Sequence, residues 1–239
     1  PAPAPATPVS APAPPPAAMR AAPDAPARGA TAEEIVMLPT LDALREVALG
    51  CPRCRLAETR QRVVFGEGDP RAEVMVVGEA PGADEDRTGR PFVGRAGKLL
   101  DLLLLAAGFE RERVYICNVL KCRPPGNRDP LPTEVEACAP YLTRQFELIR
   151  PRVVVTFGKH AALTLLGLPP DTAIGKLRGR THRYRDVPLV PTYHPAALLR
   201  NPGWVRAVWD DLQRVRDVLD PAPGPGTQDF ALRTSDSAL

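Results

Sequence analysis

Four cysteines, a glycine-rich loop, an asparagine and a histidine carry the chemistry available to this sequence. Cys51 and Cys54 form a C-x2-C pair, followed far along the chain by Cys122 and Cys138. Such a pair is half of a zinc site, a redox couple or half of a cluster site. No thioredoxin-like pattern surrounds it, and no His lies close by. Four thiolates would then hold either a structural zinc or a [4Fe–4S] cluster, and the wide second spacing favours the cluster. The fifth thiol, Cys117, falls in a predicted strand and reads as a small buried core residue.

Gly78-Glu-Ala-Pro-Gly82 follows an apolar run, so its backbone N–H groups could cradle an anion. It lacks the Gly-Lys-Ser/Thr ending of a phosphate loop and is not the GxGxxG fingerprint. Standing alone it would be a tight turn, as the acidic run Asp84-Glu85-Asp86 would be a solvated one. Phe92 sits between glycines, either as a loop anchor or as a platform on which a base could stack. Asn118 could cap a turn, but its amide offers a donor and an acceptor together. His194 is one of three histidines and stands beside Leu198-Leu199-Arg200. A lone His is usually structural. Paired leucines next to an Arg suit a wedge that enters a base stack while the Arg meets a phosphate.

The elements that must position these residues alternate. Apolar β-rich runs at Glu73–Val77, Val114–Val119, Arg152–Phe157 and within Arg180–Tyr193 predict four strands. Helices are predicted at Leu41–Leu49, Gly97–Gly108, Pro132–Ile149, Lys159–Leu166 and Trp204–Leu219, with Gly50 as a C-cap and Pro132 at a first turn. Alternating strands and helices predict an α/β fold: a three-layer α/β/α sandwich around a mostly parallel four-stranded sheet. Ligands bind at the carboxyl ends of such strands. The segments Gly78–Gly94, Asn118–Asn127 and Tyr193–Asn201 all fall there.

Of the first 30 residues 10 are Pro and 12 are Ala, too little apolar bulk to offset the entropy of ordering. Residues 1–32 and 221–239 are therefore expected to be disordered tails around a domain at 33–220. No run is long enough to span a membrane and no secretory signal is evident, so a cytoplasmic, intracellular protein is expected. The net charge of +3 permits nucleic-acid binding without arguing for it. Only 4 of the 31 basic residues are Lys, a bias toward Arg that suits phosphate contacts but that genome composition explains more readily.

Three segments, Gly78–Gly97, Asn118–Pro130 and His194–Pro202, together with the four cysteines, resemble the family 4 iron–sulfur uracil-DNA glycosylases. The match covers about residues 41–218 and is highly specific, because two long motifs occur in order with all four Cys. The resemblance implies a [4Fe–4S] cluster on Cys51, Cys54, Cys122 and Cys138, and removal of uracil turned out of DNA. It implies a uracil pocket of Phe92 stacking on the base, Asn118 reading its N3–H and O4 edge, and Glu79, Ala80 and Pro81 along the wall. His194 would donate to uracil O2 as charge builds on the leaving base. Glu79 and Asp86 are the acidic candidates to orient water and offset the positive sugar, with their roles undivided. Leu198 matches the intercalating wedge and Arg200 a DNA contact. Ala80 occupies the place where other uracil glycosylases carry an Asp. The expected partner is uracil-containing DNA, met by a monomer.

The rival readings are a non-catalytic uracil-DNA binding protein, an iron–sulfur electron carrier, and a zinc-stabilised hydrolase or nucleotide-binding protein. A related group crosslinks to uracil-DNA through a His in a loop after the second strand. The corresponding stretch Lys121–Arg128 contains no His, which disfavours crosslinking.

Overall fold

The computed structural model of the 239-residue chain describes residues 29–220. Residues 1–28 and 221–239, which make up most of the two expected tails, lie outside the described residues. The first helix, α1 (Ala32–Val36), starts inside the stretch expected to be tail. Thr31 caps it: its hydroxyl accepts from the Glu34 N–H at 3.2 Å, while the Glu34 carboxylate accepts from the Thr31 N–H at 2.7 Å.

The chain continues through α2 (Leu41–Leu49), β1 (Glu67–Gly68), β2 (Val74–Gly78), α3 (Ala83–Thr88), α4 (Arg95–Ala106) and β3 (Tyr115–Asn118). Then come α5 (Pro132–Ile149), β4 (Val153–Phe157), α6 (Lys159–Leu166), α7 (Ile174–Leu177), β5 (His182–Tyr184), β6 (Val187–Thr192), α8 (Pro195–Arg200) and α9 (Val205–Leu219). Strands form one sheet in the order β1-β3-β2-β4-β6-β5. The central four pair in parallel, as expected. The sheet has six strands rather than four, because short antiparallel strands β1 and β5 close its two edges. The stretch Arg180–Tyr193, expected as one strand, is a hairpin of β5 and β6 turning at Arg185, whose φ is 51°.

Side chains of a strand alternate between faces. Val74 and Val76 of β2, Ile116 of β3, Val155 of β4 and Val190 of β6 pack on one face against Leu100, Leu103 and Leu104 of α4 and Val208, Leu212 and Val215 of α9. Met75, Val77, Cys117, Val154 and Leu189 face the other way, onto Leu142 and Phe146 of α5 and Ala161 of α6. Cys117 is thus the core residue expected. A third apolar cluster joins Leu44 and Ala48 of α2 to Leu56, Tyr141 and the cysteines.

The order of the strands matters for function. From β2 the chain steps to β3 on one side, with α4 over one face. From β3 it returns past β2 to β4, with α5 over the opposite face. A crevice opens at the carboxyl ends where that direction reverses. The register levels those ends, since Gly78 pairs with Asn118 and Phe157 with Thr192.

Candidate active site

A cavity of about 470 Å³ lies at the carboxyl ends of β2, β3 and β6. Glu79, Ala80, Pro81, Phe92, Asn118, His194 and Arg200 all line it. Two strand-end segments are stitched together beneath it: Val119 N–H donates to Gly78 O at 2.9 Å and Leu120 N–H to Glu79 O at 3.0 Å.

Phe92 is buried with φ of 51°, in the left-handed region. Two glycines make room for it. A Cβ on Gly78 would meet the Phe92 ring at 2.5 Å and Asn118 Oδ1 at 2.3 Å, and a Cβ on Gly97 would meet Phe92 O at 1.9 Å. Glu85 fastens the loop. Its Oε1 accepts from the Val93 and Gly94 N–H groups, both at 2.9 Å, and its Oε2 from Gly82 N–H at 3.1 Å. Residue type and order alone do not separate Glu85 from its acidic neighbours Asp84 and Asp86.

Asn118 ends β3 with its side chain buried, and Oδ1 has no hydrogen-bond partner among the described residues. A buried acceptor left unpaired is costly. It is suited to a donor brought by a ligand.

His194 caps α8, and its Nδ1 accepts from Ala196 N–H at 3.1 Å. That bond leaves the proton on Nε2 in the neutral ring. Burial pushes the imidazole down to about 4, against a smaller opposing pull from Glu85, while the charge of Arg200 adds to the fall. At neutral pH the residue is an uncharged Nε2–H donor.

Glu79 follows β2, half-buried. Burial pushes its carboxyl above the usual range, His160 pulls it back, and Asp129 pushes it further up. Donor atoms of Glu79, Asp129 and His160 lie within 4.8 Å of one another, and His160 Nε2 is 3.4 Å from Asp129 Oδ2. His160, in the first turn of α6 after β4, stands beside Glu79. The sequence did not single it out, because nothing links positions 79 and 160 before the strands are side by side.

Two expected site residues are elsewhere. Asp86 is buried, and its Oδ1 accepts from the N–H groups of Gln61 at 2.9 Å and Arg62 at 3.4 Å. It anchors the 61–62 loop and does not line the cavity. Leu198 is 1% exposed and belongs to the core packed on α4, so it cannot be the wedge in this conformation. Its neighbour Leu199 is the exposed one, at 42%.

Cys51, Cys54, Cys122 and Cys138 line one enclosed pocket on the far side of the Asn118 loop, and none is in a disulfide. Burial pushes the Cys122 thiol up to about 11 and Cys138 up to about 12. Arg60 Nη1 donates to Cys122 Sγ at 3.4 Å, and Lys121 N–H to Cys138 Sγ at 3.3 Å. Four convergent thiols with N–H donors around them fit a metal group held by thiolates, whose binding displaces the protons.

The family model described as the uracil DNA glycosylase superfamily matches residues 65–213. The chain belongs to this superfamily. It is 43% identical to a type-4 uracil-DNA glycosylase of Sulfurisphaera tokodaii, over 75% of this chain and 84% of that one. Similar relatives are the type-4 uracil-DNA glycosylases of Archaeoglobus fulgidus, at 44% over 74% and 92%, and Thermotoga maritima, at 42% over 75% and 94%. These identities put the chain in the type-4 family of the superfamily. The match spans the β-sheet and every cavity-lining residue named above. No helix among the described residues is long and apolar enough to cross a membrane.

Proposed function

We propose that this chain excises uracil from DNA as a monofunctional glycosylase, leaving an abasic site for repair. The observation that carries the reading is the pairing of a buried, unpartnered Asn118 acceptor with a neutral His194 donor across one cavity. Membership of the type-4 family supports the same conclusion.

A base must leave the duplex to reach such a cavity, at a cost of about a few kcal/mol. Uracil then stacks on Phe92. Asn118 Oδ1 accepts from uracil N3–H while its amide N–H₂ donates to O4. As the C1′–N1 bond breaks, negative charge moves onto the base, and His194 Nε2–H donates to O2. A donor aimed at developing charge acts in the transition state more than in the ground state.

With Asp86 turned away and the Glu85 carboxylate committed to the Gly82, Val93 and Gly94 N–H groups, Glu79 is the acidic group of the cavity left to the reaction. Ionised, its carboxylate offsets the positive charge on the sugar and orients the water that adds to C1′. The water's proton is released, and uracil leaves as the anion before taking up a proton. Leu199 rather than Leu198 is the exposed apolar side chain suited to fill the space the base vacates, with Arg200 beside it for a phosphate.

The thiol pocket is read as the seat of a [4Fe–4S] cluster on Cys51, Cys54, Cys122 and Cys138. Its support is the four convergent thiols and the family resemblance. When bound it would act as a structural clamp, since Cys122 lies four residues after Asn118. Iron and sulfide analysis of purified protein tests this, with a brown colour and absorbance at about 400 nm expected. Zinc in place of iron would contradict it.

A further inference from the structure

Lys121 is 2% exposed and sits between the thiol pocket and the active site. Its Nζ donates to the backbone carbonyl of Asn118 at 2.7 Å and to Gln145 Oε1 at 2.6 Å. Both acceptors are neutral. Gln145 is committed in turn, its Nε2 donating to Phe65 O at 2.8 Å and Tyr115 Oη at 3.0 Å. The amide orientation of Gln145 is therefore fixed, and its oxygen must face the ammonium.

A buried ammonium among two neutral oxygens and the Cys117 thiol, which burial keeps protonated, lacks a counter-charge, and an uncompensated charge in the interior is expensive. The other buried side chains of opposite sign are taken: Glu134 is bound by Arg128 at 2.6 Å, Asp211 by Arg178 at 3.0 Å, and Asp86 by backbone N–H groups. What adjoins Lys121 is the sulfur pocket. Its own N–H points at Cys138 Sγ, the next residue is Cys122, and it lines the pocket with all four cysteines. Once those thiols are thiolates binding metal, the pocket is anionic.

We propose that Lys121 is a positioning residue that couples the metal centre to the base-reading asparagine. Its ammonium balances the negative charge of the thiolate-bound cluster, and the same ammonium holds the Asn118 carbonyl. The loaded pocket thus keeps a cation where the end of β3 needs one. This inference rests on the cluster reading above.

The test uses the full chain with its metal centre. Iron and sulfide content, the reduction potential of the cluster and steady-state kinetics on a uracil duplex are measured for wild type, Lys121→Gln and Gln145→Glu. Removing a positive charge beside the cluster, or adding a negative one against that charge, makes reduction harder. Both variants should shift the potential to more negative values. Lys121→Gln should also lower kcat/KM at least tenfold, because the Asn118 carbonyl loses its clamp. Gln145→Glu retains the ammonium and should lose less. If Lys121→Gln purifies without iron, Gln145→Glu alone carries the test of the potential. An unmoved potential in a cluster-bearing variant overturns the inference and leaves the cluster reading intact. A wild type without iron and sulfide overturns both.

Discussion

The Phe92 ring stacks on the imidazole of His194, with centroids 5.6 Å apart and planes 29° from parallel. The contact joins the loop after β2 to the cap of α8, two segments more than 100 positions apart in sequence. It aligns the one aromatic platform of the cavity with its one neutral ring donor. Nδ1 of that ring is tied to Ala196 N–H, so rotation would cost both the stack and the cap. A base resting on Phe92 would meet Nε2–H near its own plane.

Asn118→Ala should lower kcat/KM for uracil by roughly fivefold to about 160-fold, as expected when hydrogen bonds worth about 1–3 kcal/mol are lost, at 1.36 kcal/mol per decade. The melting temperature of the free protein should not fall, because Oδ1 has no protein partner to lose. Kinetics and a thermal melt on the same sample check both halves. A large drop in melting temperature would show that the side chain is structural instead.

The folded-state pKa of His194 is depressed, so its contribution to stability is present above the unfolded value near 6.5 and is lost as pH falls toward about 4. In that window the unfolded chain takes up a proton that the folded one refuses. The loss amounts to about 3 kcal/mol at most, at 1.36 kcal/mol per pH unit. Urea titrations at pH 7 and pH 5 should show His194→Gln losing less stability between the two than wild type does. Equal losses would contradict the half-buried, neutral ring.

Activity should depend on pH through Glu79. Burial raises its carboxyl, so the ionised form is lost on acidification earlier than for an ordinary Glu. The acid limb of kcat should therefore lie above pH 4.5, and His194, already neutral there, adds no second limb. His160→Gln removes the group that pulls Glu79 down and should move the limb to higher pH. Glu79→Gln should be slow at every pH and flat. A limb unmoved in His160→Gln would show that the Glu79–His160 approach has no bearing on the reaction.

Leu198 and Leu199 should part company when each is truncated. Leu198→Ala opens a cavity against α4 and should destabilise the protein by about 2–5 kcal/mol. Leu199→Ala should leave the melting temperature within about a degree or two, since surface changes are worth roughly 0.5 kcal/mol or less. It should weaken excision from duplex DNA more than from single strands, where no stack needs a wedge. A thermal melt and a two-substrate rate comparison separate the two residues.

The same pair shows where sequence was legible and where it was not. The runs at β2, β3, β4 and β6 are apolar on both faces, so they announced central strands. Strands β1 and β5 are two and three residues long and partly polar. They exist only because a sheet edge is there to pair with. Phe92, Asn118 and His194 were legible because each is an unusual residue at a strand's end or between glycines. Asp86 and Leu198 were misplaced by a single step along a helix. Each residue turns the helix by about 100°, so Glu85 and Asp86 in α3, like Leu198 and Leu199 in α8, face different surroundings. Type and order in the sequence could not distinguish them. The Glu79–His160 approach was invisible for another reason, because it depends on β2 and β4 being neighbours.

The most direct measurement is single-turnover cleavage of a labelled duplex carrying one uracil, with half of each sample treated with hot alkali before a denaturing gel. Strand breakage only in the alkali-treated half, slowed in Asn118→Ala by the factor given above, is the predicted result. An intact strand in both halves, or a slow band resistant to denaturant, would contradict uracil excision and point to a protein that binds or crosslinks to uracil-DNA without releasing the base.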